Sequence, residues 1–234
     1  SIVGSSRDIT DRKRFEEALR LANRQLGLLT GITRHDIQNK ITVILGYLKV
    51  AEMESPGPFL MEVFGKMESA TNAIRSQIEF TRTYQDLGVQ EPRWITLDTV
   101  MPPPQILPTV SLITDVEGIS LYADAMLEKV FSNLFDNSLR HGQRVTEIRV
   151  SYRMSGEDLV VVWEDNGIGI ADKEKERIFD PGFGKNTGLG MYLAREILSL
   201  TGITIRETGE AGKGARFEIT APKGHYRIAP PPGA

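Results

Sequence analysis

Residues 11–55 contain no proline and only three glycines, Gly27, Gly31 and Gly46. Apolar residues recur at Phe15, Leu19, Ala22, Leu26 and Leu29, four and three positions apart in alternation, and again at Ile37, Ile41, Ile44, Leu48 and Ala51. That rhythm predicts an amphipathic helix with a coiled-coil seam. The seam slips by one residue between Leu29 and Ile37. At the rise of an α-helix the stretch would be about 65 Å long, more than the core of one small domain can cover. Glu54-Ser55-Pro56-Gly57-Pro58 breaks the pattern. A second helical run through Leu60, Val63, Met67, Ala70 and Ile74 reaches about Leu87. Two long helices joined by a short turn make an antiparallel hairpin. One hairpin buries a single stripe per helix, so two copies are expected to pair as a four-helix bundle, a homodimer.

From Trp94 to Pro222 the pattern is mixed. Strand-like stretches fall at 94–100, 110–114, 146–154, 159–163, 203–207 and 215–220, and helical ones at 123–141, 173–179 and 189–201. Strands mixed with helices over about 130 residues predict an α+β or α/β layer domain. The division expected is 12–87 for the hairpin, 88–93 for a linker, 94–222 for the second domain, and 223–234 for a proline-rich, disordered tail.

Composition excludes several classes. Lys+Arg is 28 against Asp+Glu 31, a net charge of −3, so no basic surface argues for nucleic acid. The chain has no cysteine, which excludes a disulfide scaffold and thiolate chemistry and suits a reducing compartment. The longest uncharged run, 99–114, carries four prolines and cannot span a membrane, so no membrane contact is expected of this stretch of chain. A cytoplasmic location follows as an expectation, and the abrupt start at Ser1 is read as a cut from something longer.

Four constellations carry chemistry. On a helical wheel His35 and Asn39 share a polar stripe opposite the apolar seam, and Asp36 adjoins His35. A carboxylate can hold one imidazole nitrogen protonated and leave the other nucleophilic. An ordinary surface histidine gives the same wheel. In the run from Trp163 to Gly169 an apolar strand ends in Asp165, followed by Gly167 and Gly169. A strand-end carboxylate can accept a hydrogen bond from an exocyclic amine such as that of adenine, and the glycines let a flat ring approach the backbone. A plain turn has the same composition. Lys185, Thr187, Gly188, Leu189 and Gly190 stand just before a helix, where free N–H groups suit phosphate, though the spacing is not that of a Walker loop. Asn133, Asn137 and Arg140 form one polar stripe on a helix whose other face carries Leu127, Val130, Phe131 and Leu134. Amide oxygens and a guanidinium there suit Mg²⁺ and phosphate.

In this order the motifs resemble the cytoplasmic core of a two-component sensor histidine kinase, over about 210 residues. His35-Asp36-Ile37-Gln38-Asn39 is similar to the phosphoacceptor box, Asn133 to His141 to the asparagine box, and Asp165 to Gly169 to the first glycine box. Ile178-Phe179-Asp180-Pro181 resembles the phenylalanine box, and Gly188-Leu189-Gly190 and Gly212-Lys213-Gly214 the remaining glycine motifs. The resemblance implies a dimeric helical hairpin followed by an ATP-binding α/β sandwich of the Hsp90 and MutL kind, with ATP and Mg²⁺ as cofactors. It implies that His35 accepts the phosphoryl group, that Asp36 is its acid–base partner, and that Asn39 orients water for dephosphorylating the partner. Asn137 would hold Mg²⁺ with Asn133 in support, Arg140 would contact phosphate, Asp165 would read the adenine amine beside Gly167 and Gly169, and Lys185, Thr187, Gly188, Leu189 and Gly190 would lie along the phosphates. A response regulator receiver domain is the implied partner, and residues 1–11 resemble the end of a PAS sensor domain. Lys40, the short stretch from Phe179 to Gly188, and Ala215 depart from the family pattern, which has proline, a longer lid and threonine. Two other readings keep part of this assignment: a nucleotide-switched ATPase or binding module of the same fold, and a pseudokinase scaffold.

Overall fold

The computed structural model describes residues 37–53, 57–103, 110–183 and 188–229. The chain divides into two compact units between Gln85 and Asp86.

In the first unit, α1 covers 37–53 and α2 runs from Pro58 to Asp86. Proline stands at the first position of α2, where its missing N–H costs nothing. Gln38 Nε2, near the start of α1, donates to Glu79 Oε1, near the end of α2, so the helices run antiparallel. Ile41 and Leu48, seven residues apart, are buried. Ile37 and Ile44, placed in the same seam by the sequence, are 36% and 43% exposed, and Val43, Tyr47, Val50, Phe59, Leu60 and Met67 are exposed as well. One hairpin therefore covers alternate seam positions only. The predicted helix upstream of Ile37, with its phase slip and the PAS-like segment 1–11, lies outside the described residues.

The second unit layers helices on a sheet. Strands β1 (Arg93–Thr96), β3 (Ile119–Ala123) and β8 (Tyr226–Ile228) form a small antiparallel sheet in the order β1-β3-β8. Strands β2 (Ser111–Thr114), β4 (Glu147–Ser155), β5 (Asp158–Asp165), β6 (Thr204–Glu207) and β7 (Arg216–Ala221) form the larger sheet, ordered β2-β4-β5-β7-β6. Only β2–β4 is parallel. The central strand β5 is buried from Leu159 to Trp163. Its inner face meets α3 (Leu127–His141), where Phe131 and Phe135 lie 6.4 and 6.5 Å from Trp163 between ring centroids. Helix α4 (Gly190–Ser199) buries Met191, Leu193, Ala194, Ile197 and Leu198. The other face of β5 carries charged pairs: Arg153 bonds Glu218 at 3.1 Å and Arg216 bonds Glu164 at 2.8 Å, with Arg153 opposite Val160 and Glu218 opposite Val162 in the strand register.

Three expectations are corrected. Residues 223–229, expected in a disordered tail, instead carry β8, which pairs with β3 through Leu121↔Tyr226 and seats the Arg227 guanidinium 3.7 Å over the Trp94 ring. Residues 173–179, expected as a helix, form two single 3₁₀ turns, Asp172–Glu174 and Arg177–Phe179. The helix expected from Ala123 begins at Leu127, because Ala123 ends β3 and the Asp124 carboxylate accepts the Met126 N–H at 2.9 Å.

Candidate functional site

The site is built on three elements of the second unit: the end of β5, the polar side of α3, and the start of α4. Asp165 closes β5 and is 8% exposed. Its Oδ1 accepts the N–H groups of Gly167 at 3.0 Å and Ala215 at 3.1 Å, while Oδ2 accepts the Ser138 hydroxyl at 2.7 Å. A carboxylate offers about four acceptor positions. Three are filled by these donors, so one position on Oδ2 is left for a further N–H.

Ser138 is the residue that sequence reasoning missed. It stands on the apolar side of α3, 2% exposed, and its Oγ also accepts the Trp163 indole N–H at 3.1 Å. A small hydroxyl among Leu134, Phe131 and Phe135 was the available signal, since a buried hydroxyl must find partners.

The glycines around Asp165 are required by close backbone approach. A side chain at Gly167 would meet the Gly142 carbonyl oxygen at 2.7 Å. Gly169 has φ +68, and a Cβ there would meet the carbonyl oxygens of Glu210 and Gly214 at 2.7 and 2.8 Å. Gly212, Lys213 and Gly214 thus form a hairpin laid against this turn: the Gly212 N–H donates to Ile168 O at 2.7 Å, and Arg144 donates to Gly212 O at 2.9 Å.

On α3, Asn133 and Asn137 are half-buried and Arg140 is exposed, 3.6 Å from Asp136. Asn133 Nδ2 donates to Gly190 O at 2.8 Å, tying the stripe to the first residue of α4. Leu189 occupies the N-cap position of α4, and Gly188 takes φ +60 with its carbonyl accepting the Gly182 N–H at 3.2 Å. The structure thus brings Asp165, Gly167 and Gly169 together with Asn133, Gly188, Leu189 and Gly190, with α3 as the shared wall, and Asn137 adjoins Ser138 in sequence. Lys185, Thr187, His35 and Asp36 lie outside the described residues. Asn39 is exposed on α1, in the other unit. Among the described residues no cluster of three His, Cys, Asp or Glu side chains could hold a metal. The donors that suit Mg²⁺ are the Asn133 and Asn137 amide oxygens, which fit a cation that takes most of its ligands from phosphate and water.

Away from Asp165, the Glu207 side chain is fully buried at the end of β6. Lys175 stands 3.6 Å from Glu207 and bonds Asp172 at 2.8 Å. The hydrogen bond and charge of Lys175 hold the Asp172 carboxyl below its ordinary value, and the bond to Asp172 raises the Lys175 ammonium.

A glycine-lined strand end with a buried carboxylate, bonded to an asparagine-bearing helix, has the donors and acceptors that suit a nucleotide. Residues 123–225 match the family described as "Histidine kinase-, DNA gyrase B-, and HSP90-like ATPase". Along most of its length the chain is 28% identical to the signal transduction histidine-protein kinase AtoS of Escherichia coli, over 237 aligned positions, 92% of this chain and 38% of AtoS. It is 38% identical over 101 positions to the alginate biosynthesis sensor protein KinB of Pseudomonas aeruginosa, 41% of this chain and 17% of KinB. The crystal structure of full-length ShkA in complex with AMPPNP shares the fold, with a TM-score of 0.58 at 16% identity over 86% of this chain and 46% of that one. Residues 123–225 of the second unit thus match that wider ATPase family, and along most of its length the chain is similar to sensor histidine kinases. It spans well under half the length of the curated relatives it matches. Among the described residues no helix is long and apolar enough to cross a membrane.

Proposed function

We propose that the chain is the catalytic core of a kinase that moves the γ-phosphoryl group of ATP onto His35 and then onto an aspartate of a response regulator receiver domain. The observation that carries this reading is the Asp165 carboxylate: buried, fixed by three donors, and left with one acceptor position suited to the adenine amine. The AMPPNP bound by ShkA and the kinase names of the relatives support the same assignment.

Phosphoryl transfer asks the protein chiefly to position groups and neutralise charge. In this reading Asp165, Gly167 and Gly169 receive the purine, and Lys185, Thr187, Gly188, Leu189 and Gly190 lie along the phosphates at the α4 N-terminus. Asn137 would hold Mg²⁺ with Asn133 in support, the ion supplying charge that shields the phosphate oxygens, and Arg140 contacts phosphate. A nitrogen of His35 attacks the γ-phosphorus, the N–P bond forms as the bond to the ADP oxygen breaks, and Asp36 takes the ring proton. Asn39, exposed one turn beyond His35, orients water when the partner is dephosphorylated. Residues 12–87 serve as the dimerising phosphotransfer hairpin and 94–222, extended by β8, as the catalytic domain, with 1–11 the end of a PAS sensor in the cytoplasm. A second copy covering Ile37, Ile44, Val43 and Tyr47 accounts for their exposure in one chain.

Incubation with γ-labelled ATP tests the reading. The expected product is an acid-labile, alkali-stable label, absent from both His35→Gln and Asn137→Ala. Phosphate release that survives His35→Gln would instead indicate a nucleotide-switched ATPase, and absence of nucleotide binding a pseudokinase scaffold.

A further inference from the structure

The hairpin that follows β6 reaches from Glu207 to the purine-reading carboxylate. Glu207 Oε1 accepts the N–H of Gly209 at 3.0 Å and of Arg216 at 3.1 Å, closing the base of the loop 208–215 from both sides. A Cβ on Gly209 would lie 2.7 Å from that oxygen, so the loop is drawn tightly over it. Glu207 Oε2 is buried without a hydrogen-bond partner, and the charge facing it is the Lys175 ammonium at 3.6 Å. The same ammonium donates to Gly209 O at 2.6 Å. At its far end the loop returns Ala215, whose N–H bonds Asp165 Oδ1 at 3.1 Å and whose carbonyl accepts the Asp165 N–H at 3.0 Å.

We infer that Glu207 and Lys175 are positioning residues for base recognition: they anchor the 208–215 hairpin so that Ala215 holds the Asp165 carboxylate in the orientation that accepts the adenine amine. The inference rests on the nucleotide reading of Asp165 given above. Neither residue touches the nucleotide. Their effect passes through backbone hydrogen bonds to one side chain, so it falls on the contact with the 6-amine and spares the phosphate side. Without the facing ammonium a buried charge is left uncompensated, and the loop base then loses the fixed geometry that two N–H donors and one ammonium impose.

The test compares ATP with purine riboside triphosphate, which carries hydrogen in place of the 6-amine, by calorimetric titration of the full 234-residue chain with Mg²⁺. A hydrogen bond to a charged acceptor makes the wild-type preference for ATP roughly tenfold or more. Lys175→Met and Glu207→Gln are expected to bring the ratio towards one while affinity for purine riboside triphosphate stays within about twofold. Lys175→Arg, which restores the cation, is expected to restore the ratio. Parallel weakening of both nucleotides in the Met and Gln variants, or an unchanged ratio, overturns the inference and leaves the nucleotide site standing. Should Lys175→Met fail to fold, the Glu207→Gln ratio decides, since glutamine keeps the size but removes the carboxylate charge that faces Lys175. Wild-type protein that binds neither nucleotide refutes the site itself and this inference with it.

Discussion

Ser138→Ala removes one oxygen atom and is expected to cost far more than a surface change. The Ser138 hydroxyl donates to Asp165 and accepts from the Trp163 indole, and Trp163 is fully buried. Alanine fits the apolar side of α3, so no cavity larger than the lost oxygen opens. The indole N–H, however, is left in a dry core, which costs about 1–3 kcal/mol. Asp165 loses its donor on Oδ2 but keeps both on Oδ1, a smaller loss of about 1 kcal/mol because water can replace the lost donor there. The sum, about 2–4 kcal/mol, is a large fraction of the ~5–15 kcal/mol that holds a typical domain. At about 2–4 °C per kcal/mol for a unit of this size, thermal unfolding by circular dichroism should fall by roughly 5–15 °C. A double-mutant cycle with Trp163→Phe isolates the bond, since without the indole the serine has less to lose; a coupling of about 1 kcal/mol or more is expected. A melting temperature within 2 °C of wild type, or strict additivity in the cycle, would refute the buried chain of hydrogen bonds.

Two further outcomes can be checked by the same melts. Gln143 holds φ 57 on an exposed turn, a left-handed conformation that costs a β-carbon-bearing residue about 1 kcal/mol, so Gln143→Gly should raise the melting temperature by about 2–4 °C; a decrease would contradict the backbone geometry. The Asp172–Lys175 pair has its carboxyl lowered and its ammonium raised, so its contribution is complete between the unfolded values of about 4 and 10.4. It is lost as pH falls through the lowered carboxyl value and as pH rises through the raised ammonium value. The melting difference between wild type and Asp172→Asn should therefore stay constant from pH 5 to 9 and shrink below about pH 4; a difference that persists in acid would show that the bond is not ionic.

Much of the second unit is legible in the sequence because its longer elements have strong periodicity. The apolar run 159–163 is short and β-branched enough to be read as a strand, and the stripe Leu127, Val130, Phe131 and Leu134 fixes the buried face of α3. What escapes is short or held by distant partners. Three residues make β8, and their strand state comes from the β3 backbone and the Arg227–Trp94 stack. Residues 173–179 have helical composition, but 3₁₀ turns use the same residue types and spacing at this length. Asp165 could be singled out from its place after an apolar strand. Its three donors could not, because Ser138, Gly167 and Ala215 come from segments up to 50 residues from Asp165 itself.

Ser138, which bonds Asp165 at the end of β5, and Asn133, which reaches the start of α4, ride on one stiff helix five residues apart. Helical pitch sets their axial offset at about 7.5 Å, so the domain carries a built-in ruler for the distance from the end of β5 to the start of α4. Inserting a single residue between them would swing one end by about 100° around the rod, and no adjustment of the surrounding loops could bring both ends of the ruler back into line.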